Sequence, residues 1–68
     1  MIKIIRFNKK IYPKQTITQA IRDYKGLADF SFSQNKNYFL VKVKNIQPAI
    51  DKIFQEEFLN YTLSLMGK

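Results

Sequence analysis

Apolar and polar positions along the chain fall into strand-like and helix-like patterns that succeed one another with little between them. Ile2-Lys3-Ile4-Ile5-Arg6-Phe7 is rich in β-branched and aromatic residues and runs into the polar Asn8-Lys9-Lys10, which predicts a first strand and its turn. Pro13 is followed by Ile17, Ala20, Ile21 and Tyr24, the i, i+3, i+4, i+7 spacing that lays one apolar stripe along a helix. That helix can start at Pro13, whose fixed φ suits a first helical position, or at a capping box in Thr16-Ile17-Thr18-Gln19. The Pro13 start is favoured, and Gly26 is expected to end the helix as a left-handed residue.

Asp29-Phe30-Ser31-Phe32-Ser33 alternates polar and aromatic residues with a strict period of two, which predicts a half-buried strand with Phe30 and Phe32 toward the core. Gln34-Asn35-Lys36-Asn37 is polar turn material with two Asn able to take left-handed conformations, and it leads into Tyr38-Phe39-Leu40-Val41-Lys42-Val43-Lys44, completing a hairpin. Phe39, Val41 and Val43 alternate with Tyr38, Leu40, Lys42 and Lys44, so the second set is expected on the opposite, open face. Asn45 is a candidate N-cap, Pro48 fits a first turn, and the pattern from Ile46 to Met66 predicts one long helix. The expected buried layer is Phe30, Phe32, Phe39, Val41 and Val43 against Ile17, Ile21, Ile50 and Phe54.

The element order is β-α-β-β-α with no repeat, linker or low-complexity segment, which predicts a single α+β domain over residues 1–68. A right-handed crossover from the first strand to the second, with the third inserted between them, gives a three-stranded sheet of order 1-3-2 with two helices on one face. That is a truncated ferredoxin-like unit, lacking its last strand. Two sheet edges are left exposed. At 68 residues, folding buries only about 60% of the unfolded chain's surface, so the core is minimal. The chain has no Cys and no His, which excludes disulfides, Fe–S clusters and structural zinc and leaves apolar packing or a partner to supply stability. No apolar run approaches the length of a membrane span, so the expected location is cytoplasmic, away from the membrane.

Charge widens the choice of partners. Twelve Lys and Arg against five Asp and Glu give a formal charge of +7, which admits nucleic acid, an anionic surface or an acidic protein or peptide. The basic residues are scattered between elements, a distribution that also serves solubility alone. Catalytic chemistry finds little to work with. Glu56-Glu57 are adjacent on a helix and do not face one site together; a Ser or Thr nucleophile has no His as base; and both Gly are isolated, so no phosphate-cradling loop exists. No enzyme activity, metal or cofactor is expected.

Two surfaces remain as binding candidates. In the last helix Ile50, Ile53, Phe54, Phe58, Tyr61 and Leu65 make one stripe for the sheet, whereas Leu59, Leu63 and Met66 project from nearly the opposite side. The second set is either a frayed or kinked end folding back or a docking or dimer surface. On the third strand, Tyr38, Leu40, Lys42 and Lys44 form an aromatic and basic row of the kind that reads single-stranded nucleic acid or holds a peptide, though without an RNP-like Gly-aromatic motif. An ordinary solvated face with one exposed Tyr is the plain alternative.

Taken together, Phe7-Asn8, Ile11-Tyr12, the helix Ile17-Thr18-Gln19-Ala20-Ile21 ending in Asp23-Tyr24, and Glu57-Phe58-Leu59-Asn60 followed by Leu63 resemble the HxsD-like proteins of His-Xaa-Ser peptide-maturation systems. The likeness covers most of the chain, departing where Ser64-Leu65-Met66-Gly67-Lys68 replaces the Leu-Arg expected after the last motif. Such proteins accompany radical-SAM enzymes and a short precursor peptide. The resemblance therefore implies a non-catalytic accessory component that binds a peptide or a modifying enzyme in the maturation of a ribosomally made peptide. A small nucleic-acid-binding domain is the alternative.

Overall fold

The computed structural model describes residues 2–67 and has the element order and sheet that the patterns predict. Strand β1 (Lys3–Asn8) leads to helix α1 (Lys14–Tyr24), the hairpin β2 (Asp29–Gln34) and β3 (Tyr38–Lys44), a short 3-10 turn (Pro48–Ile50) and helix α2 (Phe54–Met66). The sheet order is β1-β3-β2, and β3 pairs antiparallel with both neighbours.

Register follows from which side chains must leave water. Ile5 and Phe7 lie opposite Val41 and Phe39, and Phe30 and Phe32 opposite Val43 and Val41, so the apolar sets of the three strands share one face. Both helices lie on that face, supplying Ile17, Ala20, Phe54 and Phe58 to the same buried cluster. Phe58 is fully buried and is the hub of the rings. It stacks on Phe54 at 5.8 Å and meets Tyr24 at 5.2 Å, Phe30 at 5.5 Å and Phe7 at 6.2 Å. Phe30, Phe32, Ile21 and Ile50 pack against the cluster but are only half buried, Phe30 and Phe32 because β2 is an edge strand.

Pro13 is the extended N-cap of α1 and not its first helical residue, which is Lys14; its carbonyl accepts from the N–H groups of Thr16 and Ile17, and the capping-box alternative is not used. The hairpin turns on Asn35. Its Oδ1 accepts from the N–H of Asn37 at 2.9 Å and of Tyr38 at 2.8 Å, a side chain standing in for backbone.

Three local expectations are corrected. Gly26 does not end α1 with a left-handed residue: no glycine among the described residues has a positive φ, and a Cβ at Gly26 would meet nothing within 4 Å. The left-handed position is Asn45, at φ 55°, so this residue turns the chain out of β3 instead of capping a helix. Its side-chain amide donates to Asp29 Oδ2 at 2.7 Å, tying the turn to the start of β2. Nor is there one helix from Ile46. Gln47 is extended, as the residue before a proline prefers, only a 3-10 turn follows, and α2 begins at Phe54 with Glu56 and Glu57 placed to favour its N-terminal dipole.

Along α2 the buried line is Phe54, Phe58 and Thr62, and the Thr62 hydroxyl donates to the Phe58 carbonyl at 2.8 Å, which satisfies it within the core. Phe58→Ala should lower unfolding free energy by about 3–5 kcal/mol, whereas Phe32→Ala on the edge should cost roughly half as much. Chemical denaturation of both variants measures this. Equal losses would place Phe32 as deep as Phe58.

Candidate binding surfaces

The alternation that buries one face of the sheet leaves the other without a covering element among the described residues. Across it Ile4 lies opposite Lys42, Arg6 opposite Leu40 and Asn8 opposite Tyr38, while Ser31 and Ser33 lie across from Lys42 and Leu40 on β2. Ile4 is 60% and Tyr38 37% exposed, and Leu40 is half buried. Ile4, Leu40 and Tyr38 are thus interleaved with Arg6, Lys42 and Lys44 on this face, Ile4 lying diagonally across from Leu40. The Arg6 guanidinium lies 6.0 Å from the centre of the Tyr38 ring, at the limit of a cation–π contact. The acidic side chain on this face, Asp29, is engaged by Asn45.

The row Tyr38, Leu40, Lys42 and Lys44 therefore stands together on the open face. Sequence reading left Ile4 and Arg6 out of this surface, although they alternate with the buried Ile5 and Phe7 in the same manner as the β3 residues. At the Asn8 end of the sheet the surface dips into a concavity of about 260 Å³ lined by Asn8, Lys9, Lys10, Lys36, Asn37 and Tyr38. The backbone N–H of Lys9 donates to the Asn37 carbonyl at 3.0 Å and holds the two loops together there.

Leu59, Leu63 and Met66 do not form one exposed patch. Leu63 is 49% exposed, Met66 is half buried, and Leu59 packs against the core. Burial of Thr62 rotates the core-facing line of α2. Leu59 then stands about 100° from Phe58 and Leu63 about 140°, so only Leu63 points well clear of the sheet. Ile53, expected in the core stripe, is 49% exposed because it precedes the first turn of α2.

Polar contacts join the two helices. The Tyr61 hydroxyl donates to Asp23 on α1, which also accepts from Gln19, and the Tyr24 hydroxyl reaches the Glu57 carbonyl at 3.5 Å. The Tyr61 phenol is pushed up from its ordinary pKa first by this hydrogen bond, then by burial and by the charges of Asp23 and Tyr24. Tyr24 is pushed up by burial and, second, by Glu57. Among the described residues no cluster of three or more carboxylates could hold a metal, and no helix is long and apolar enough to cross a membrane. Compared with protein-family models, with curated proteins and with solved structures, the chain gives no match.

Both phenols hold their protons more tightly folded than unfolded, so the native state binds more protons above the unfolded pKa of about 10. The contribution is complete below that pH and is lost as pH rises through the folded values. Thermal melts should be flat in this respect up to about pH 9 and decline above pH 10, and Tyr61→Phe should make the alkaline decline shallower. An unchanged decline in that variant would mean that the Tyr61–Asp23 bond does not persist in solution.

Proposed function

We propose that this chain is a non-catalytic accessory protein that binds a precursor peptide, or the enzyme that modifies it, during maturation of a ribosomally made peptide. The observation that carries the reading is the uncovered sheet face, where Ile4, Leu40 and Tyr38 offer apolar contact and Arg6, Lys42 and Lys44 offer charge. The resemblance to HxsD-like proteins supports the peptide-maturation setting and makes a radical-SAM maturase the enzyme of choice. Burying Ile4 and Leu40 under a partner is worth roughly 1.5–3 kcal/mol each, offset by the freedom lost on association. Leu63 and Met66 add a smaller apolar contact through which an enzyme or a second copy could join. A total of ten Phe and Tyr and no His or Cys suits a binding role better than acid–base or metal chemistry.

The contact between Arg6 and Tyr38, beside Lys9, Lys10 and Lys36, favours a second reading as a single-stranded nucleic-acid binder. Salt separates the two. Capture of the precursor peptide or radical-SAM enzyme of a His-Xaa-Ser system, followed by calorimetry, should weaken only a few-fold between 50 and 200 mM salt, whereas phosphate binding loses orders of magnitude over about that range. Ile4→Gln with Leu40→Gln should leave the melting transition nearly unchanged and reduce capture by about tenfold or more. Tight binding of single-stranded RNA with a steep salt slope, and none of either peptide or enzyme, would replace the first reading by the second.

A further inference from the structure

The free edge of β1 differs chemically from the free edge of β2, and the backbone pairing shows how. Lys9 N–H donates to the Asn37 carbonyl, and Asn35 N–H donates to the Tyr38 carbonyl. Each bond continues one ladder of β3, and the alternation of hydrogen-bonded and non-hydrogen-bonded pairs then fixes which amides point where. On β1, Lys3, Ile5 and Phe7 turn their amides inward to Val43, Val41 and Phe39. Ile4, Arg6 and Asn8 turn theirs outward, and the Asn8 carbonyl is taken up by the N–H groups of Ile11 and Tyr12. On β2 the outward amides belong to Phe30, Phe32 and Gln34.

The outward amides of β1 therefore belong to the residues whose side chains lie on the open face. A strand added antiparallel at this edge would place the side chains paired with Ile4 and Arg6 on that same face. Its end would lie beside the concavity lined by Lys9, Lys10 and Lys36. Directly opposed unlike charges stabilise a pair of strands and like charges disfavour it. A second copy is a poorer occupant, since the antiparallel register that sets Arg6 against Arg6 also sets Lys3 against Lys9, and in every register two chains of formal charge +7 are brought together. We propose that the β1 edge takes an extended acidic segment of a partner polypeptide as a fourth strand, of about five residues, with a carboxylate opposite Arg6. This rests on the accessory-binding reading and names the chemistry of its partner.

Hydrogen exchange on the isotope-labelled full chain tests it, with a capped eight-residue peptide of alternating Glu and Val as probe and its Lys-Val counterpart as control. The Glu-Val peptide should slow exchange at the Ile4, Arg6 and Asn8 amides by about tenfold or more, leave Phe30 and Phe32 unchanged, and outbind the control. Ile4→Pro removes an outward donor that β3 does not use and should weaken binding about tenfold. Arg6→Glu should reverse the preference between the two peptides, which keeps the test decisive if the proline variant fails to fold. Equal binding of both peptides, or protection at Phe30 and Phe32 in place of Ile4 and Arg6, would overturn the proposal. Binding to the open face without amide protection at β1 would overturn it too, while leaving the accessory-binding reading in place.

Discussion

Packing of Phe58 against rings from every layer is the interaction on which the structure depends. Phe7 comes from β1, Phe30 from β2, Tyr24 from α1 and Phe54 from one turn earlier on α2, and all four converge on the Phe58 ring. A chain with no disulfide and a minimal core has few other ways to join two helices to a sheet, and each buried ring contributes roughly 1.5–3 kcal/mol by leaving water. Around the cluster the polar contacts are local or peripheral. Lys9 and Lys14 sit over Phe39 and Phe32 at 5.3 and 5.9 Å, and Lys3 reaches the Asp51 carbonyl at 2.9 Å. They border the apolar layer and do not replace it.

Concentrating the aromatic residues on one face determines what the other face can be. Ile4, Leu40 and Tyr38 have no layer above them among the described residues, and Arg6, Lys42 and Lys44 beside them bring positive charge to this face. The order β1-β3-β2 also leaves both outer strands unpaired on one side. The Phe30 and Phe32 edge has its rings turned to the core, whereas the Ile4 and Arg6 edge has its side chains turned to the open face. Shape, charge and spare backbone donors thus coincide along β1, and the proposed function draws on that coincidence.

The strands were legible because a period of two admits one burial pattern: Phe30-Ser31-Phe32 and Phe39 to Val43 assign their own faces, and the short hairpin fixes their register. Pro13 likewise announced α1. The region from Asn45 to Ile53 was not legible, because its apolar spacing fits a helix while Asn45 in a left-handed conformation and extended Gln47 before Pro48 interrupt it. The role of Leu59 was missed for a related reason. A polar Thr62 at the centre of the buried line shifts the core-facing side of α2, and a sequence reading that keeps hydroxyls out of cores cannot foresee that. Ile4 and Arg6 carried a visible alternation, but their place beside β3 emerges only from the pairing.

One-sided burial of the sheet is the central claim, and a soluble paramagnetic agent added during side-chain NMR tests it most directly. The account predicts that signals of Ile4, Leu40 and Tyr38 are strongly broadened while those of Ile5, Phe7 and Val41, alternating with them on the same strands, are spared. Comparable protection of Ile4 and Leu40 at dilute concentration would contradict it, because that face would then already be covered.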